Sequence, residues 1–236
     1  MKFSFLLATA CILWAAAPVQ AQRKTKPVTA ANPVTVQRLQ PQFGGLTPAQ
    51  AEQALGTPFL TRLAGSFASR AEASRFFSTK GYEYLAENQP DTAAYRFNLA
   101  WVLDPSNADA FHGLGIIASD KAPEQSIALL TQGVALAPTN SYLVSDLGAS
   151  YLIRYRQSNK KKDLATGTEL LEKATTQDAA NATAWQQLAR AYYFQEKYPQ
   201  AWEAVHKGQN ISLTSMDFEL VSDLKEKLPD PAGTIK

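Results

Sequence analysis

The stretch Ala182–Ile211, ATAWQQLARAYYFQEKYPQAWEAVHKGQNI, decides the fold. Trp185, Leu188, Ala189 and Tyr192 recur at three- and four-residue spacing, which places them on one helical face. The pattern breaks at Tyr198-Pro199, where proline suits the first turn of a new helix because its missing amide hydrogen has no partner there in any case. Ala201, Val205 and Gly208 then continue a second apolar stripe. Two amphipathic helices joined by a short break make a hairpin whose apolar faces must close on each other or on a neighbour.

The same phrase occurs three more times. Phe77, Gly81, Tyr84, Ala93, Phe97, Ala100 and Pro105 form one copy, and Phe111, Leu114, Gly115, Leu130, Gly133 and Pro138 a second. Val144, Leu147, Gly148, Tyr151, Gly167, Leu171 and Ala174 form the third. The small residues Gly81, Gly115, Gly148 and Ala189 follow one another at intervals of 34, 33 and 41. A small residue on the first helix lets a second helix approach, and a bulky neighbour fills the remaining gap. No stretch alternates polar and apolar residues long enough to predict a sheet, so the array is expected to be all-α.

A period near 34, with a bulky-Leu-small-Tyr phrase followed by Ala-aromatic-Ala and often Pro, resembles the tetratricopeptide repeat (TPR) family. The resemblance implies a right-handed superhelical array of about four TPR-type hairpins, at about 69–105, 106–138, 139–179 and 180–212, with capping helices at both ends. It also implies a surface for holding other polypeptides. Some members grip a peptide's C-terminal carboxylate with matched Lys, Arg and Asn on the inner face. The corresponding positions here are Ser, His, Gln and aromatic residues, so that clamp is not carried over. The inner stripe of the third copy reads Tyr142, Ser145, Ala149 and Leu152, and the inner-face positions expected to bind a peptide are Tyr82, His112, Ile116, Tyr142, Ala149, Gln186, Arg190 and Tyr193. The tyrosines offer an apolar face and a hydroxyl tip, and an extended or helical segment with apolar anchors is the ligand they suit. Packing between repeats is the competing use for the same side chains.

Outside the array, Thr47-Pro48-Ala49-Gln50 is a capping box, and Gly56 followed by Thr57-Pro58 breaks and restarts the helix. Phe59, Leu63 and Phe67 fall at fourfold spacing, so residues 47–68 are expected to cap the first hairpin. Ser69-Arg70-Ala71-Glu72 is a second capping box. At the other end Phe218, Leu220, Val221, Leu224 and Leu228 predict a capping helix within 213–236. The third copy is about seven residues too long between Tyr155 and Leu164. Arg154, Arg156, Lys160, Lys161 and Lys162 put five bases into nine residues there, which reads as a solvated basic loop, with electrostatic contact to an acidic partner or an anionic envelope surface as its functional alternative.

The N-terminus has its own grammar. Lys2 precedes an apolar run from Phe3 to Ala17, and Val19-Gln20-Ala21 supplies small residues at the two positions a signal peptidase reads. Cleavage after Ala21 is expected, with export to the periplasm or beyond. A lipidated Cys11 is the alternative, and it would attach the chain to a membrane. Residues 22–46, with Pro27, Pro33, Pro41 and Gly44-Gly45, read as a flexible basic linker. Cys11 is the sole cysteine, so cleavage at Ala21 removes disulfide and thiolate chemistry together.

Residues 1–46 carry five bases and no acid, so the rest of this +2 chain is mildly acidic. That split gives no nucleic-acid signature, which requires cations clustered on a folded face. The two histidines, His112 and His206, have no second histidine at helical metal spacing, so no metal or cofactor is expected. Ser158-Asn159-Lys160-Lys161 has a serine–lysine spacing used by some acyl enzymes, without that chemistry's other motifs. An enzyme would require His112, Asp109 and Arg190 to converge in a closed cavity. Asn181-Ala182-Thr183 and Asn210-Ile211-Ser212 fit a glycosylation pattern, but their place at hairpin boundaries points to helix capping. The sequence thus predicts a non-catalytic scaffold of the bacterial envelope that binds another protein, or a self-associating accessory subunit.

Overall fold

The computed structural model describes residues 37–235. The expected leader, Cys11 and most of the basic linker lie outside the described residues. Within them the chain is helical, with no strand. Three short elements come first: α1 (Gln42–Gly45), α2 (Pro48–Leu55) and α3 (Thr57–Ala64). Four hairpins follow: α4 (Arg70–Ala86) with α5 (Pro90–Leu103), α6 (Ala108–Ala118) with α7 (Pro123–Leu136), α8 (Ser141–Ser158) with α9 (Lys161–Gln177), and α10 (Ala182–Phe194) with α11 (Tyr198–Ile211). A 3₁₀ turn (Leu213–Ser215) leads to α12 (Phe218–Lys227).

Each helix from α4 to α11 packs on the one before it, so consecutive elements are spatial neighbours. First helices also meet directly, α4 with α6 and α8 with α10. The small residues explain how. The Phe97 ring of α5 occupies the space a Cβ at Gly81 or Gly113 would need; at Gly81 that atom would lie 2.6 Å from the ring. Leu130 sits on Gly115, and Leu171 sits on Gly148, where a Cβ would come within 2.8 Å of Leu171 and 3.0 Å of the Gly167 carbonyl. Ala189 and Val205 belong to one buried cluster in the last hairpin. One small-on-large contact therefore repeats in the first three hairpins, and the fourth places its small residue in the same kind of buried cluster.

Caps repeat as well. Asn107, Asn140 and Asn181 begin α6, α8 and α10, and each side-chain oxygen accepts an amide hydrogen of the first turn. Asn107 also donates to Ser74 and Ser78 of the preceding hairpin, and Asn181 donates to Ser141. Asn181 is fully buried, so its amide is committed to joining repeats and leaves no room for a glycan. Thr47 and Gln50 form the reciprocal capping box. Around Ser69 the second box is shifted: Glu72 accepts from the Ala68 amide instead of from Ser69. Gly56 takes a φ of 84°, a left-handed conformation open to glycine, and so separates α2 from α3.

Two expectations are corrected. The linker does not run free to residue 46. From Gln37 the chain lies on α5: the Asn98 amide, buried in the core, donates to the carbonyls of Arg38 (3.0 Å) and Gln40 (2.8 Å), and Phe43 is fully buried. Leu46 packs on the same core. Proline and glycine there shape a tight turn, with Phe43 at φ 54° and Gly44 at φ 94°, instead of releasing the chain.

The basic loop of the third hairpin is not a loop. α8 continues to Ser158 and α9 begins at Lys161, so the extra residues lengthen both helices. Asn159 makes the turn with a left-handed φ of 54°. Arg154 grips Asp163 with two hydrogen bonds, Nε to Oδ2 at 2.9 Å and Nη2 to Oδ1 at 2.7 Å, across the base of the extension. Its guanidinium also lies over the Tyr151 ring. Ion pair and turn residue together hold as helix what composition alone reads as solvated coil. Arg156, Lys160, Lys161 and Lys162 remain exposed around this tip.

Candidate functional site: the groove on the first helices

A groove of about 270 Å³ opens among α6, α7, α8 and α10. Its floor is apolar, from Ile116, Leu130, Ala149 and Ile153 with the buried Ser150 among them, and Ser119, Asp120, Asp146 and Gln187 line it with polar groups. Helical periodicity puts these residues together: Asp146, Ala149 and Ile153 follow one face of α8 at intervals of three and four. Leu130 reaches the floor because Gly115 leaves it space, so the packing contact that joins α6 to α7 also shapes the groove. A second hollow of about 340 Å³ adjoins it, lined by Asp120, Ile153, Arg156 and Gln157.

Behind the groove a polar chain crosses three hairpins. The Tyr82 hydroxyl lies 2.9 Å from His112 Nδ1, and His112 Nε2 lies 2.7 Å from Asp146 Oδ2. The carboxylate accepts from His112 Nε2, while the Tyr82 hydroxyl lies within reach of both His112 Nδ1 and the Asp109 carbonyl, the latter at 3.4 Å. Burial, with Asp109 and Asp146 adding to it, pushes the Tyr82 phenol well above its ordinary value, which keeps it a hydrogen-bond donor. The Tyr82 ring meets Phe97 edge-on at 5.0 Å. Tyr82 and His112 therefore position Asp146, whose side chain is the member of the chain that reaches the groove.

The predicted residues fall into three groups. Ile116 and Ala149 line the groove. Tyr82 and His112 stand behind it as the support just described. Gln186, Arg190, Tyr193 and Tyr142 are elsewhere. Gln186 is buried against α11 where Gly208 leaves room for it: a Cβ at Gly208 would lie 2.5 Å from its amide nitrogen. Arg190 pairs with Asp217, the N-cap of α12, and lies 3.8 Å from Glu219. Tyr193 packs on Phe194 and Tyr198 within the C-terminal cluster. Tyr142 stands exposed near the start of α8.

Asp120, Asp146, Ile153 and Gln187 line the groove but lie outside the predicted set. A stripe through Tyr142, Ser145, Ala149 and Leu152 is one residue out at two of its four positions. Ser145 and Leu152 are buried, whereas Tyr142, Asp146, Ala149 and Ile153 make the outward stripe. The apolar core residues Val144 and Leu147 fix the opposite face and carry the signal that sets the register. His112, Asp109 and Arg190 do not converge: His112 joins Tyr82 and Asp146, while Arg190 joins the C-terminal helix. Among the described residues, no group of three or more His, Cys, Asp and Glu side chains is placed to hold a metal. Also among them, no helix is long and apolar enough to cross a membrane.

Compared by sequence, the chain matches no family model and no curated protein. Compared by structure, it is similar to TTC0263, a thermophilic TPR protein of Thermus thermophilus. The TM-score is 0.57 at 18% identity, with 65% of this chain and 80% of that one covered. It is also similar to a chain in the APC/C hetero-tetramer Cut9-Hcn1, with a TM-score of 0.56 at 15% identity, covering 76% of this chain and 34% of that one. Residue spacing, repeated small-on-large contacts and these neighbours agree that the folded body has the tetratricopeptide-repeat fold.

Proposed function

We propose that this chain is a non-catalytic scaffold that holds a segment of another polypeptide in the groove on its first helices. The observation that supports this most is the groove itself: apolar side chains from consecutive repeats form its floor, and polar ones from α6, α8 and α10 rim it. Its volume of about 270 Å³ lies below the ~300–1,000 Å³ usual for small-molecule sites. One or two anchoring side chains of a longer segment match that size better than a cofactor. The Tyr82–His112–Asp146 chain serves as a support for the rim and not as reaction machinery, because only its last member reaches the groove.

Replacing Ile116 and Ile153 together with Gln removes the apolar floor without adding charge. Proteins crosslinked to the wild-type chain should be lost from this variant and retained by Leu136→Gln, an exposed change on α7 outside the groove. Equal recovery from all three would remove the groove from the reading. The leader supports export of the chain, with Ala21 as its cleavage point. Sequencing of the mature N-terminus should begin at Gln22, and a lipidated Cys11 would instead place the chain on a membrane.

A second reading rests on a separate observation. Ile211, Leu213 and Phe218 are exposed apolar residues close together in sequence near the end of the array, with Leu213 65% and Phe218 72% accessible. Such a patch fits self-association or an accessory subunit's contact with a larger assembly. Light scattering distinguishes the two readings, since Leu213→Glu/Phe218→Glu would convert an oligomer to a monomer and leave a monomer unchanged.

A further inference from the structure

The rim of the groove has a sign. Asp120 and Asp146 line it, and none of its other lining residues is charged. Among the described residues Asp120 has no ion-pair partner. Asp146 is held by His112 through Oδ2 alone, so its second oxygen is not claimed by that bond. A carboxylate oriented from behind by a buried histidine and bordered by apolar floor is a prepared acceptor for a cation. Asp146 is partly buried, its side chain 30% accessible, and this strengthens such a contact relative to one in open water. Arg156 lines the adjoining hollow beyond Ile153, and Lys121 lines a further hollow with Ile116 and Asp120; both would oppose a second basic side chain.

On the reading that the groove docks a polypeptide, we propose that it selects a segment carrying one lysine or arginine flanked by apolar side chains. The cation seats on Asp146 and Asp120, and its apolar neighbours lie on Ile116 and Ile153. This is the reverse polarity of a carboxylate-gripping surface, and the residues that would grip a carboxylate are absent from the groove. Charge complementarity at two acids, with apolar contacts on either side, sets both the composition and the spacing of the partner.

The test uses the full chain and a phage-displayed library of random dodecapeptides. It is panned against wild type, Asp146→Asn, Asp120→Asn, the double Asp variant, and Ile116→Gln/Ile153→Gln. Asparagine keeps an oxygen acceptor for His112, and Asp120 is exposed, so the acid variants retain the fold; matching thermal melts check this. The expected result is a wild-type consensus with a single Lys or Arg between apolar residues, lost from the double Asp variant and from the Ile variant. A synthetic peptide of that consensus should bind Asp146→Asn roughly ten- to a hundredfold more weakly, the scale of one charge-assisted hydrogen bond. Replacing its basic residue with norleucine should cost wild type the same factor and cost the double Asp variant little more. Peptides that need Ile116 and Ile153 but show no basic preference, or a basic consensus that the double Asp variant keeps, would overturn the charge selection and leave docking intact. Recovery of no peptide sensitive to the Ile variant would overturn both.

Discussion

The two halves of the array are built differently. From Phe43 to Leu129 the buried residues of α1, α2, α3, α4, α5, α6 and part of α7 make one continuous cluster, with Leu55, Phe59, Leu63 and Phe67 packed on its edge. Beyond it the core divides into separate groups, around Leu130 and Leu143, around Val144 and Ala174, around Leu171 and Leu188, and around Trp202 and Leu224. Partly buried apolar residues bridge these smaller groups, Val134 and Leu170 between two of them and Trp185 and Tyr192 between two others, and polar contacts add to them: Arg154 to Asp163, Asn181 to Ser141, and Arg190 to Asp217. Repeats contact only their neighbours, so stability is expected to be graded along the chain. The groove is lined from α6 to α10, where the continuous core gives way to the divided one.

The sharpest way to break this contrast is Phe97→Ala. Phe97 is fully buried and fits between Gly81 and Gly113, so no neighbour can collapse into the space without moving a helix. A loss of about 3–5 kcal/mol is expected, measured by denaturant unfolding. If the N-terminal half is one cooperative unit, hydrogen exchange should speed up across α2 to α6 together. A change confined to α5 would show that the cluster is continuous in space but not in energy.

Gly148→Leu tests the divided half by overpacking. A Cβ at 148 already meets Leu171 and the Gly167 carbonyl, and a full leucine must part α8 from α9. The expected cost is about 1–3 kcal/mol in a thermal melt, with exchange raised in α8 to α11 and α2 to α5 spared. An unchanged melt would mean that α8 and α9 are free to separate.

The ion pair Arg154–Asp163 gives the same half a pH dependence. The hydrogen bonds from Arg154 hold the Asp163 carboxyl below its ordinary value, against the burial that opposes this. A carboxyl lowered in the folded state stabilises the fold above the ordinary carboxylate range near ~3.9, and that contribution is lost as pH falls through the folded value. Asp163→Asn should therefore cost about 1–2 kcal/mol at neutral pH, and its melting curve should merge with that of wild type on acidification. A gap that persists at low pH would assign the effect to shape and not to charge. The same variant should fray the tip that carries Lys160, Lys161 and Lys162, since those lysines oppose the N-terminal dipole of α9.

Residue spacing makes much of the array legible, because packing is local in a repeat. Gly81, Gly115, Gly148 and Ala189 announce where helices approach, and Pro90, Pro123 and Pro199 stand at the starts of second helices. The site is less legible, for three reasons with separate causes. An outward stripe on a long helix shifts face with an error of one residue, so spacing points to Ser145 and Leu152 where Asp146 and Ile153 hold the lining position. Equivalent positions also meet different neighbours. Tyr82 faces His112 in the next repeat, whereas Arg190, at the same repeat position, has no following repeat and pairs with Asp217 of the C-terminal helix. Finally, long-range pairs leave no local mark: nothing near Asn98 tells that its amide binds carbonyls some sixty residues earlier, or that Arg154 will reach Asp163 across a turn.

The smallest predicted effect concerns that last repeat. Arg190 occupies the repeat position expected to face a ligand, yet it is spent on Asp217 and Glu219 at the start of α12. Asp217 meanwhile caps the same helix by accepting from the Leu220 amide at 3.0 Å, so the arginine is held by a carboxylate already in use. Arg190→Ala removes a half-buried pair and leaves the cap, which should cost below ~1 kcal/mol overall. The effect should be local. Exchange of α12 amides should accelerate while α4 to α9 stay as they were, and binding in the groove should be unaffected. If binding weakened as well, Arg190 would be serving the groove through α10, and its role would not be confined to the start of α12.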